Sequence, residues 1–355
     1  MNKPLSILLL PILFGFAACT KTTVPPTPEP VLSSEATSLP ETLPSPTKNL
    51  PPSPAGTEPI QTASAPVGLR VVYVRAGNVW SWSEADGNVQ LTGTGDISTV
   101  RLSDDGQLLA FMRRGEIWTV RMDGTDARML VTQAAEGGAL WFAPNVSLLA
   151  FSTSDHIDVI DLNTASSTTV VTYPAIPDAY YPEVSWTPDA LGFKTVIPPQ
   201  TETGQAEFLF VFTNGKVGSL AKFPLVPLSK DSPYISPDGG YIIYSTRLAD
   251  GKETLNLMDS SGATRVYGEP GENIRAYGWL PDSKHFVYGN EINQKTYLGE
   301  VTGAPKEIPL TFSPLVRWVD MDHFLELSND ELNLGTMDGE QMLIDTAVQG
   351  FDFVY

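Results

Sequence analysis

The residues of this 355-residue chain whose types could do chemistry are few: His156, His285 and His323, a lone cysteine at position 19, two acidic turns, and an aromatic and acidic stretch from Tyr173 to Glu183. Three histidines could hold a metal ion if the fold brought them together. No H-E-x-x-H spacing is present to set two of them on one helix face. Asp104-Asp105-Gly106 and Asp320-Met321-Asp322 offer oxygen ligands, yet neither extends to the D-x-D-x-D-G loop with a distal glutamate that holds calcium. Aspartate in a tight turn is accounted for by its hydrogen bonds to nearby backbone N–H groups. No G-x-S-x-G elbow and no P-loop occurs, and the Ser-x-x-Lys match from Ser45 to Lys48 falls in a proline-rich stretch where no pocket can form. The expectation is a chain with no catalytic residue, no cofactor and no metal.

Cys19 is the only cysteine, so no internal disulfide exists and the thiol needs its own explanation. Met1 to Pro4 carry one positive charge at Lys3, Leu5 to Phe16 are almost wholly apolar, and Ala17 and Ala18 are small. That is the order of an export signal, and the apolar run falls short of the roughly 20 residues a helix needs to span a bilayer. Phe16-Ala17-Ala18-Cys19 resembles the lipobox of bacterial lipoproteins, with Phe16 departing from the usual aliphatic residue. The resemblance implies that residues 1–18 are removed, that Cys19 becomes the lipidated first residue, and that the protein is an extracytoplasmic, membrane-anchored lipoprotein. It would sit on the outer leaflet of the cytoplasmic membrane, or in the outer membrane of a cell that has one. A rival cut after Ala17 would release a secreted protein and leave Cys19 unexplained.

Thr20 to Pro66 contain twelve Pro, nine Thr and six Ser and no aromatic residue. Such a segment cannot bury enough apolar surface to offset chain entropy, so residues 19–66 are expected to be a disordered tether. Fully extended as polyproline it would reach about 145 Å.

Residues 67–355 carry an internal repeat. "LSDDGQLLAF" at Leu102 and "ISPDGGYIIY" at Ile235 are its clear copies, with weaker ones at Phe142, Trp186, Trp279 and Trp318. Their first residues are 40, 44, 49, 44 and 39 apart, the period of a four-stranded propeller blade. In each unit an apolar residue ends an inner strand, Pro-Asp-Gly or its equivalent turns the chain, and an alternating strand returns. Seven later hairpin turns follow, from Asp86-Gly87 to Asp338-Gly339, against six inner turns. The first unit lacks its inner strand, and the chain ends on a surplus segment, "AVQGFDFVY". The fold expected is all-β: a seven-bladed β-propeller in which Ala347 to Tyr355 close the first blade, with six or eight blades if the long fourth unit is misread.

"SPDGGYIIYSTRLADGKETLNLMDSSG" and "LSDDGQLLAFMRRGEIWTVRMDGT" are similar to the repeats of TolB-like propellers, the WD40-like PD40 repeats. The resemblance implies the fold and an extracytoplasmic setting. It does not carry the Tol partnership, because no TolB-like domain precedes the repeats. In another propeller family resembling this chain, the oligogalacturonate lyases, histidines hold a metal. Here chain direction puts His285 and His323 at the bottom of second strands and His156 at a top loop, so the three should not converge.

The formal charge of −19 repels phosphate backbones and anionic headgroups, which argues against nucleic acid and leaves membrane contact to the lipid. The long loops Tyr173 to Pro182, Val196 to Gln205 and Pro224 to Pro233 share one face around blades three to five. They nominate Tyr173, Tyr180 and Tyr181 as aromatic platforms with Asp178 and Glu183 as hydrogen-bond acceptors. The tyrosines could equally pack over blade edges. Two functions follow: a non-catalytic lipoprotein presenting a loop face to a protein, peptide or glycan of the cell envelope, or an enzyme acting on envelope or extracellular polysaccharide. A cluster of titratable side chains in the channel or the upper pocket would favour the enzyme.

Overall fold

The computed structural model describes residues 63–355 except 136, 145–146, 177–179, 200, 202–203, 226–232, 272, 291, 293 and 313–314. Cys19, the export segment, the tether and Asp178 lie outside the described residues.

The described strands form seven four-stranded antiparallel sheets. Blade two shows the plan: Ile97–Leu102, Leu108–Arg113, Glu116–Arg121 and Arg128–Val131 pair in chain order from the axis outward. Blade one departs from it as the repeat count requires. Val348–Val354 pairs with Arg70–Arg75, matching Val71 to Phe353 and Val72 to Asp352, and Asn78–Ser83 and Gly87–Gln90 complete the sheet. The last strand of the chain is therefore the inner strand of the first blade.

Alternation along the second strand of each blade explains why the sheets form a ring. Val71 and Tyr73 point into the core shared with blade seven, while Val72 and Val74 point into the core shared with blade two. In the same way Leu109 and Phe111 face blade one, and Ala110 and Met112 face blade three. A strand buried on both faces reads as a continuous apolar run rather than an alternating one, hence "VVYV", "LLAFM" and "YIIY". One apolar cluster fills each of the seven interfaces between neighbours, and the last of them joins blade seven to blade one.

The inner turns have the expected chemistry. In blade two Asp105 Oδ1 accepts from the Ser103 hydroxyl at 2.6 Å and from the Gln107 N–H at 3.0 Å, with Gly106 at φ +66°. Blade five repeats this with Ser236, Asp238 and Gly239. In blades four and six Ala190 and Ser283 take the left-handed position, at φ +53° and +57°, so glycine is not obligatory there.

Candidate functional site

Phe353, Leu102, Phe142, Trp186, Ile235, Trp279 and Trp318 lie at or beside the ends of inner strands and pack into or against the interblade cores. Period-two alternation puts the residue before each of them on the other face of its blade, and at the inner strand that face borders the channel. Around the ring those residues are Asp352, Arg101, Trp141, Ser185, Tyr234, Gly278 and Arg317, in blades one to seven in turn. All but Asp352 line one axial cavity of about 610 Å³, whose wall also includes Tyr180, Tyr181, Glu183, Trp186, Trp279 and Trp318.

Asp352 is 2% exposed and joins three blades. Its Oδ2 accepts from the Leu102 N–H at 2.7 Å and lies 3.3 Å from Arg101 Nε, while Oδ1 accepts from Arg317 Nη1. Burial works against its charge, but the Arg101 and Arg317 guanidinia hold the carboxyl below its usual range. Burial likewise disfavours the Arg101 cation, and Asp352 supports it. Two guanidinia present more N–H donors than one carboxylate can satisfy. Arg101 also stacks on Trp141, 4.4 Å from ring centroid to Cζ, and Arg317 lies 5.1 Å over Phe353.

Across the cavity the segment leading into Ser185–Trp186 supplies Tyr180, Tyr181 and Glu183. Burial in the wall pushes the Glu183 carboxyl up to about 7, despite the Ile235 N–H and the two arginines, which oppose the shift. Burial also raises the Tyr180 hydroxyl, with Glu183 adding to the effect. Asp104, at the channel mouth, is raised by burial, while Arg101 opposes the shift. Titratable groups therefore do gather in the channel.

Interblade indole bonds stiffen the wall. Trp186 Nε1 donates to the Trp141 carbonyl at 3.1 Å, and Trp279 Nε1 to the Tyr234 carbonyl at 3.0 Å. Trp318 holds the same repeat position, but its indole N–H has no partner among the described residues. The carbonyl that would serve it belongs to Gly278, where the strand is bulged and φ is +115°. A side chain at Gly278 would stand in open space, so the bulge widens the channel between Tyr234 and Arg317.

The sequence-nominated residues divide. Tyr180, Tyr181 and Glu183 line the cavity, and Asp178 lies outside the described residues. Tyr173 is not in the wall: it packs against the core of blades three and four, and its hydroxyl donates to the Thr153 carbonyl at 2.9 Å. The cavity is the ring axis rather than a pocket of long outer loops. Arg101, Arg317, Asp352, Trp141 and Tyr234 were missed, although "VRL" and "VRW" put both arginines one place before an inner-strand anchor.

The histidines are spread over three blades. His156 Nδ1 meets Asp155 at 2.5 Å, His285 Nδ1 meets Asp282 at 2.6 Å, and His323 Nδ1 meets Asp320 at 3.0 Å. The last two begin second strands and are tied to the aspartate of their own inner turn. No group of three or more His, Cys, Asp or Glu placed to hold a metal occurs among the described residues.

Ring, closing strand and axial cavity together define a seven-bladed β-propeller with a ligand-sized channel. Solved structures share the fold. An oligogalacturonate lyase in complex with manganese is 14% identical, with a TM-score of 0.56 over 78% of this chain and 83% of that one. A functionally unknown protein from Desulfotomaculum acetoxidans is 10% identical, with a TM-score of 0.58 over 81% of this chain and 99% of that one. TolB from Acinetobacter baumannii is 15% identical, with a TM-score of 0.46 over 81% of this chain and 67% of that one. The first two are likenesses of fold alone. No family model matches the chain, and no curated protein matches it in sequence.

Proposed function

We propose that the protein is a non-catalytic lipoprotein, anchored through Cys19, whose propeller holds a protein segment, peptide or glycan of the cell envelope in its axial channel. The observation that carries this reading is the convergence of Tyr180, Trp141, Trp186 and Tyr234 with Arg101 and Arg317 on one cavity of about 610 Å³. A concave, largely aromatic site with a few charged groups is what recognition of a ring-bearing or peptide ligand requires. The lipobox-like segment and the Pro/Thr/Ser-rich stretch support a propeller tethered outside the cytoplasm.

A second reading, an enzyme acting on envelope or extracellular polysaccharide, is favoured by Glu183, whose carboxyl stands at about 7 and could move a proton at neutral pH. Paired-carboxylate chemistry needs a second free acid. Asp352 does not supply one, because both its oxygens are engaged, whereas Asp104 at the channel mouth lines the same cavity as Glu183. Binding is the leading reading on the strength of the aromatic wall.

The test replaces the cavity tyrosines. Tyr180→Ala with Tyr181→Ala should abolish capture of envelope peptides and glycans by protein that still melts cooperatively. Capture that survives the double substitution places the site elsewhere. Turnover of a polysaccharide that Glu183→Gln abolishes would replace binding with catalysis.

A further inference from the structure

We propose that the channel selects a ring-bearing carboxylate, its acid group taken by Arg101 and Arg317 and its ring seated on the aromatic wall beside the gap left by Gly278. The inference builds on the reading of the channel as a ligand site and names the ligand's chemistry.

Donor stoichiometry is the first support. Arg101 and Arg317 converge on one buried acid, Asp352, and their guanidinia carry more N–H donors than its two oxygens accept. Glu183 and Asp104 are the other acids of the cavity, so a ligand carboxylate is held by directed hydrogen bonds rather than by a net positive field. Planar guanidinia already oriented by stacking on Trp141 and Phe353 suit bidentate recognition of a carboxylate.

Shape is the second. Gly278 occupies an axis-facing position next to Arg317, and its bulged backbone leaves open space where every other blade presents a side chain. Glycine within a strand commonly marks a close approach by a ligand. Tyr234 and Trp279 border that gap. An acid on Arg317 thus has open space beside it for a ring to enter.

Glu183 sets how much negative charge a ligand acid meets. The charged and titratable groups facing it are Arg101, Arg317 and Tyr180, with Tyr234 acting on Tyr180, and Asp352 and Asp104 on Arg101. Its carboxyl is half-protonated near pH 7, so a carboxylate ligand meets a neutral Glu183 below that pH and a like charge above it.

The experiment uses tryptophan fluorescence, since Trp141, Trp186, Trp279 and Trp318 all line the cavity. The full chain is titrated with phenylacetate against phenylacetamide and with glucuronate against glucose, at pH 6 and pH 8. At least one acid should bind, its neutral partner should bind at least about tenfold more weakly, and the acid's affinity should fall by up to about tenfold at pH 8, the scale of one lost charge contact. The preferred pair tells an aryl ring from a sugar ring. Arg317→Gln should abolish the preference for the acid. Glu183→Gln, which leaves the arginine clasp intact, should bind the acid equally at both pH values. Acid and neutral partner binding alike, or a preference that survives Arg317→Gln, overturns carboxylate selection while leaving the channel a ligand site. Failure of both acids to bind overturns it as well. A Glu183→Gln protein that still loses affinity at pH 8 removes Glu183 from the account.

Discussion

Asp352→Asn is the sharpest perturbation of the ring, because it removes one charge from a cluster that joins the first blade to its neighbours on both sides. The carboxylate is buried, and it holds Arg101 of blade two, Arg317 of blade seven and the Leu102 N–H at once. Breaking a buried ion pair by removing one partner costs about 3–5 kcal/mol, since the surviving charges are left uncompensated. Here the two guanidinia are 23% and 31% exposed, so channel water recovers part of the loss and about 3 kcal/mol is the better figure. A domain of this size loses roughly 2 °C per kcal/mol, giving a fall in melting temperature of about 6 °C at pH 7. The folded-state value of Asp352 lies below the ordinary 3.8. Its contribution is therefore complete above the unfolded value and is lost as pH falls through the folded one. Thermal unfolding followed by circular dichroism should show a gap between wild type and Asp352→Asn that is full at pH 7 and shrinks below about pH 4. Coincident melting curves at pH 7, or a gap that widens in acid, would refute the clasp.

Further outcomes follow from the same structure. Deleting residues 347–355 removes the inner strand of blade one with Val348, Phe351 and Asp352, and should replace a cooperative melt with aggregation; a truncated propeller that melts like the parent would contradict ring closure. Burial raises Glu183 from 4.5 to about 7, so ionising it penalises the fold progressively across that window; Glu183→Gln should leave stability unchanged at pH 4 and raise it by about 1–3 kcal/mol at pH 8, read by chemical denaturation. Gly299 and Gly335 each sit across from a phenylalanine, and an added Cβ would come within 2.4 Å of Phe286 or Phe324. Alanine at either site should cost about 1–3 kcal/mol by overpacking, whereas alanine at the open turn Gly124 costs only what its φ of +81° imposes. Cys19→Ser should release the protein from the membrane fraction or leave it unprocessed, and unchanged fractionation and migration would remove the anchor.

The blade plan was legible because its signals are local: an apolar anchor, a turn built on Asp, and an apolar run repeat at blade spacing, as in Leu102 to Phe111 and Ile235 to Tyr244. The closing strand was legible as a surplus, one hairpin more than the inner turns and a β-rich segment left over after the seventh hairpin. The channel was harder to read because the axis exists only once the ring has closed. Arg101 and Arg317, seen locally, are the polar partners of an alternating strand and look solvent-facing. Only superposing the repeats shows that both precede an anchor and so share the axis with Asp352. Loop length led to Tyr180, Tyr181 and Glu183 for a partly wrong reason, since they enter the wall with the inner strand of blade four. Tyr173 was misplaced because its ring is claimed by the core and its hydroxyl by the Thr153 carbonyl.

The measurement that tests the channel most directly is hydroxyl-radical footprinting of the full chain with and without saturating phenylacetate or glucuronate. Protection should fall on the half-buried Trp141, Trp186 and Tyr234, which share one wall though they come from three blades. Protection confined to outer residues such as Tyr355, Val266 or Leu343, or no protection at all, would contradict a ligand site at the ring axis.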